Sequence, residues 1–134
     1  MNVHRHVVFR AGAHSLAVAI EHVARIVPYT TPTPVPGTPE NVRGIVQHRG
    51  KMLPVVDIGG AQPNPFTLLV IVEGAHGTLT GVIADEVSGI VDLGAATPIA
   101  SAQSGLAPVL SDDRVVLVVD VERAFVCTRL EERP

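Results

Sequence analysis

Residues 36–58 read PGTPENVRGIVQHRGKMLPVVDI, two apolar runs folded about Arg49-Gly50-Lys51, with a second glycine, Gly44, inside the first run. Gly50 can adopt the positive φ of a tight connection, so the stretch predicts a β-hairpin whose tip projects two cations. Gly44 predicts a bulge, or a place where another backbone approaches the strand closely. Both runs carry apolar residues on each face (Ile45 beside Val46, Val55 beside Val56), so one face fills a barrel and the other an interface. Pro54 cannot donate to a ladder and is expected at a sheet edge or bulge. This is the pattern of a docking surface rather than of a catalytic one.

The same elements recur. Val18 to Val27 (VAIEHVARIV) has a counterpart in Val82 to Val91 (VIADEVSGIV) at an offset of 64, and Val55-Val56-Asp57-Ile58 has one in Val118-Val119-Asp120-Val121 at an offset of 63. Each half runs apolar strand, turn, strand, Val-x-x-Ile-Val, loop and closing hairpin. The halves are placed at about 5–62 and 67–130 of a single 134-residue domain. Two copies are too few for a solenoid, so the pattern predicts two small β-barrels facing each other. A short helix is expected over Glu21 to Val27, and an extended, stiff loop over the proline-rich 28–39. Gly59 to Pro65 forms the link between halves.

Composition narrows the class. At 134 residues, 46% hydrophobic, with mean hydropathy +0.35, the chain can bury a real core, and that core must be aliphatic, since it has three Phe, one Tyr and no Trp. A net charge of −3 and a pI near 6.0 lack the basic, aromatic footprint of nucleic-acid binding. The longest aliphatic run, Leu68 to Val72, is too short to span a bilayer, and a soluble cytoplasmic protein with no membrane insertion is expected. Cys127 is the single cysteine and reads as an ordinary apolar contact.

Catalytic and metal constellations are absent from the pattern. Of the six histidines (His4, His6, His14, His22, His48 and His76) only His4 and His6 are closely spaced, and no acid or cysteine completes a tetrahedral set around them. Asp57, Asp85 and Asp120 each end or follow an apolar run; they read as acceptors for turn N–H groups, because a phosphoacceptor fold would need long alternating helices. Ser15, Ser88, Ser101 and Ser104 have no nucleophile-elbow context, and no phosphate-binding glycine loop occurs. A protein that is not an enzyme, with no cofactor and no metal, is expected.

The succession Val-x-x-Ile-Val, then Pro-x-x-Pro-x-x-Val-x-Gly-Ile-Val-x-x-Arg-Gly-x-x-Leu-Pro-Val-Val-Asp-Ile, then Leu-Val-Ile-Val, Gly-Val-Ile-Ala-Asp-Glu-Val and Ser-Gly-Leu before Val-Val-Leu-Val-Val-Asp-Val-Glu resembles the CheW-like domain family over about Val7 to Phe125. The resemblance implies a mainly β fold of two five-stranded SH3-like barrels related by pseudo-twofold symmetry, with minor helix. It implies a non-catalytic adaptor whose partners are the regulatory domain of a chemotaxis histidine kinase and the cytoplasmic tip of chemoreceptors. Variant readings are an adaptor of a non-flagellar, pilus-type pathway and a homo-oligomeric β-barrel module without array function. Carried over by position, Val23, Gly44, Arg49 and Val87 fall where the family couples to receptor or kinase. Arg25 joins them as a partner-binding residue that departs from the Glu often found in this step. Gly44 is expected to border the docking surface, where an added carboxylate would weaken binding and spare the fold. Arg49 would recognise a partner carboxylate with its planar fork, which Lys51 cannot reproduce.

Overall fold

In the computed structural model, which describes residues 5–74, 77–94, 96–100 and 105–121, the valine-rich runs become strands. The first half contributes β1 (Arg5–Ala11), β2 (His14–Ala19), β3 (Val23–Pro28), β4 (Val42–His48) and β5 (Lys51–Val56). The second contributes β6 (Leu68–Glu73), β7 (Leu79–Ala84), β8 (Glu86–Asp92), β9 (Thr97–Pro98), β10 (Leu106–Ser111) and β11 (Arg114–Val119). The helix expected over residues 21–27 is reduced to a 3-10 turn at Ile20–His22, and from Val23 the chain is strand. Val23, Ile26 and Val27 are β-branched, and β6 satisfies backbone groups that a helix of seven residues would leave open.

Two sheets form, ordered β3-β6-β7-β5-β4 and β8-β1-β2-β11-β10-β9. Replacing each strand of the first order by its repeat counterpart generates the first five strands of the second, β8-β1-β2-β11-β10, which is the pseudo-twofold relation. The halves of the repeat are nevertheless not the two sheets. The hairpin β1–β2 pairs with β8 and β11, while β6–β7 pairs with β3 and β5. Even the parallel seams match: Val55 faces Gly81 in one sheet, and Val118 faces Ala17 in the other. Each sheet curls into a barrel-like lobe closed in the same way, by Thr33 bridging to Ile45 and by β9 pairing with β10.

Pro54 departs from expectation, because it stands in β5, an interior strand between β7 and β4. Opposite it, Ile45 directs its N–H and C=O to Thr33 at 2.9 and 2.8 Å, so no hydrogen bond to Pro54 is required. Pairing of β5 with β7 begins only at Val55, after the proline. The missing donor therefore falls where no ladder needs it.

Alternation along the strands divides the apolar residues among three cores. Val7, Phe9, Leu16, Val18, Val56, Val70, Val72 and Val82 come together in a cluster drawn from both sheets, between the lobes. Val46, Leu53, Val55, Leu69 and Ile83 fill the first lobe, and Val8, Ala17, Leu93 and Val116 the second. Neighbours Val55 and Val56 thus point into different cores, as the two-faced hairpin predicts. Fully burying one such side chain is worth about 1.5–3 kcal/mol, so the between-lobe cluster is a principal source of stability.

Candidate partner-docking site

At the tip of β4–β5, His48 pairs with Lys51, leaving Arg49 and Gly50 as a two-residue connection with φ of 53° and 78°. Both residues sit in the left-handed region, the mirror-image turn whose twist matches that of the strands it joins. The turn carries its cations to one side of the first lobe. There Arg25 arrives from β3, where the pairing with β6 skips Ala24, so that Arg25 sits opposite Ile71. The repeat copy does the same, skipping Ser88 in β8.

Between these elements lies a hollow of about 200 Å³. Arg25, His48, Arg49 and Lys51 form its rim, and Ile71, Leu79 and Ala24 its apolar part. No acid lines it, and among the described residues neither Arg25, Arg49 nor Lys51 makes a salt bridge. Cations without a salt bridge among the described residues, beside the less buried Ala24 and Leu79, suit a carboxylate-bearing protein segment.

The structure therefore brings Arg25 and Arg49 together, and sets the other three candidates elsewhere. Val23 and Val87 occupy equivalent places in the two halves, opposite Val72 and Phe9, and both pack half-buried against the between-lobe core. Gly44 is buried at a bulge with φ of 147°, and a β-carbon there would overlap the carbonyl of Thr33. The close approach expected at this glycine is real and is made by the chain's own proline-rich loop. The expectation that a carboxylate at Gly44 would spare the fold is corrected accordingly.

His48, one of the six histidines, and Lys51, the second cation of the tip, complete the rim. Their pairing follows from a two-residue connection, shorter than the Arg49-Gly50-Lys51 turn expected from the sequence. Ile71 and Leu79 carried no local signal, since they reach the hollow only through the pairing of β6 with β3 and β7.

A larger cleft, about 390 Å³, lies beside Arg10, Gly12, Gly60, Gln62, Asn64 and Asp85. Its charges are already matched. Asp85 accepts from the Gly12 N–H at 2.7 Å and from Arg10 at 3.4 Å, and Arg10 also lies 3.8 Å from Glu86. Asp57 is likewise engaged, accepting from the N–H groups of Gly60 and Ala61 at 3.0 and 2.9 Å and pairing with Arg43. Both aspartates are turn acceptors, as their sequence positions predict. Among the described residues no group of three or more His, Cys, Asp or Glu is placed to hold a metal ion, and no helix is long and apolar enough to cross a membrane. His4, His76, Ser101, Ser104 and Cys127 lie outside the described residues.

Two β lobes that exchange strands, with a cationic hairpin tip beside a small hollow, make up the molecule. Residues 5–126 match the CheW-like domain, and the chain belongs to that family. It is 37% identical over 89 residues to Protein FrzA of Myxococcus xanthus, covering 61% of this chain and 54% of that protein. It is 30% identical over 91 residues to the chemotaxis protein CheW of Rhizobium meliloti (strain 1021), covering 63% and 58%. The chain thus aligns with little more than half the length of these curated relatives. The crystal structure of the scaffolding protein TtCheW from Thermoanaerobacter tengcongensis superposes with a TM-score of 0.74 at 24% identity, covering 90% of this chain and 86% of that one, which establishes the shared fold.

Proposed function

We propose that the chain is a non-catalytic adaptor that couples chemoreceptors to a chemotaxis histidine kinase, working in the cytoplasm at receptor arrays. The observation that carries this reading is the convergence of Arg25 from β3 and Arg49 from the β4–β5 turn, neither in a salt bridge among the described residues, on one hollow of a CheW-like domain. The names of the relatives, a chemotaxis CheW and a scaffolding CheW, support the same assignment. The hollow supplies the charged contact. Val23 and Val87, half-buried against the between-lobe core and in equivalent places of the two halves, offer the remaining partner contacts in this reading.

The test is a reconstituted assay in which kinase autophosphorylation is followed with a receptor cytoplasmic fragment, with and without this chain. Addition of the chain should raise receptor-dependent kinase activity, and Arg25→Glu with Arg49→Glu should abolish the increase while the variant remains folded. Kinase activity indifferent to the wild-type chain would overturn the assignment.

A further inference from the structure

Lys51 is the only lysine in the chain: of its ten lysine and arginine residues, the other nine are arginines. A guanidinium keeps its charge at any ordinary pH and does not attack an acyl group, whereas a lysine amine does so once it has given up its proton. The chain therefore carries one side-chain amine open to acylation, and the fold sets it at the basic hairpin tip.

Three features of its surroundings bear on its reactivity. Lys51 is exposed and in no salt bridge among the described residues. His48 is its direct cross-strand partner at the other end of the Arg49-Gly50 connection, an arrangement that puts two β-carbons about 4.5–5.5 Å apart on one face of a hairpin. Arg25 and Arg49 border the same hollow as this pair, and no acid lines it. Guanidinium groups match phosphate oxygens through paired N–H donors, so the hollow joins an anion-holding part to a nucleophile and a base.

We propose that Lys51 is an acylation site for small acyl phosphates, with Arg25 and Arg49 holding the phosphate and His48 taking up a proton that the amine sheds. Lys51 Nζ, as the free amine, attacks the acyl carbon. A C–N bond forms, the C–O bond to phosphorus-bound oxygen breaks, and its electron pair leaves with the phosphate. Counted from the ammonium and a dianionic acyl phosphate, two protons are shed: one ends on the departing phosphate as monohydrogen phosphate, the other reaches solvent by way of His48. Holding the reactants side by side next to a base supplies the acceleration. The amide formed is uncharged, so the rim loses one cation. The reaction stands apart from the receptor and kinase assignment, whereas a weaker grip on a carboxylate-bearing partner after acylation rests on it.

The test follows acetylation of Lys51 by mass spectrometry of the peptide that contains it, at low salt, with acetyl phosphate and with a neutral donor, the N-hydroxysuccinimide ester of acetic acid. Acetyl phosphate should acetylate Lys51 about tenfold faster in the folded chain than in the urea-unfolded chain, and inorganic phosphate should compete with it. Arg25→Gln with Arg49→Asn, the latter a residue that tolerates the left-handed turn, should lose most of that advantage and leave the rate with the neutral donor unchanged. His48→Gln should slow both donors. A folded chain no faster than the unfolded one, an arginine variant that slows both donors alike or neither, or a His48→Gln variant that reacts as wild type does would each overturn the proposal.

Discussion

Gly12 and Gly59 meet backbone to backbone: a β-carbon on Gly12 would overlap the Gly59 carbonyl, and one on Gly59 would overlap the carbonyl of Ala11. The crossing lays the link between the repeats directly on the turn of β1–β2. Asp57 and Asp85 fasten it from either side through the N–H groups of Gly60, Ala61 and Gly12. Gly59 has no positive φ, so Gly59→Ala tests the overlap alone. It should cost about 1–3 kcal/mol, the usual penalty of overpacking, which lowers the thermal midpoint by roughly 3–10 °C in a domain of this size.

Gly44→Asp should unfold the first lobe rather than modify a surface. The φ of 147° is strained for any side chain, at about 1–3 kcal/mol, and the overlap with Thr33 adds to it. The denaturation midpoint and partner binding should fall together, and Gly44→Ala should show the same fall in midpoint without any added charge. A fully stable Gly44→Ala would show that the proline-rich loop can move away from β4.

Asp57→Ala and Arg43→Ala remove the two ends of one ion pair with unequal results. Asp57 is 7% exposed and serves two backbone N–H groups as well as Arg43, whereas the Arg43 side chain is 49% exposed. Losing the carboxylate leaves buried donors unsatisfied, at about 1–3 kcal/mol for each group concerned. Losing the guanidinium, which is half in water, leaves the carboxylate its two backbone N–H donors and costs less. Denaturant titration of both variants should therefore place Asp57→Ala well below Arg43→Ala.

Arg49 separates binding from folding when two replacements are compared. Arg49→Ala leaves a β-carbon in the left-handed region, whereas Arg49→Gly removes it and should raise stability by up to about 1 kcal/mol. Both delete the cation at the rim, so both should weaken receptor-dependent kinase activation equally. Activation that follows stability instead of charge would identify Arg49 as a residue of the turn only.

What could be read before folding divides along physical lines. The hairpin around Arg49-Gly50, the bulge at Gly44 and the two-lobed repeat depend on local backbone chemistry and short periodicity, and all three were legible. The helix over residues 21–27 was misread because its spacing also fits a strand, and only the partner strand β6 decides between them. Pro54 was misplaced for a related reason: the geometry that tolerates it is set by Thr33, twenty-one residues away in sequence and bonded to Ile45 across from the proline. In the site, the cations of the hairpin tip were visible, but their meeting with Arg25 over Ile71 and Leu79 depends on pairings between repeats that no local window contains.

The exchange of strands between lobes also sets the order in which the protein can be built. Neither lobe can close from the first half alone: β1–β2 waits for β8 and β11, and β3 with β5 waits for β6 and β7. As the chain leaves the ribosome, the first lobe becomes complete once β7 has emerged, while the β1–β2 hairpin keeps an open edge until β11, the last described strand, is made. Non-local pairing of this kind slows folding and prolongs exposure of unpaired edges. The β1–β2 hairpin is therefore the segment whose strand edges stay unpaired longest as the chain is made.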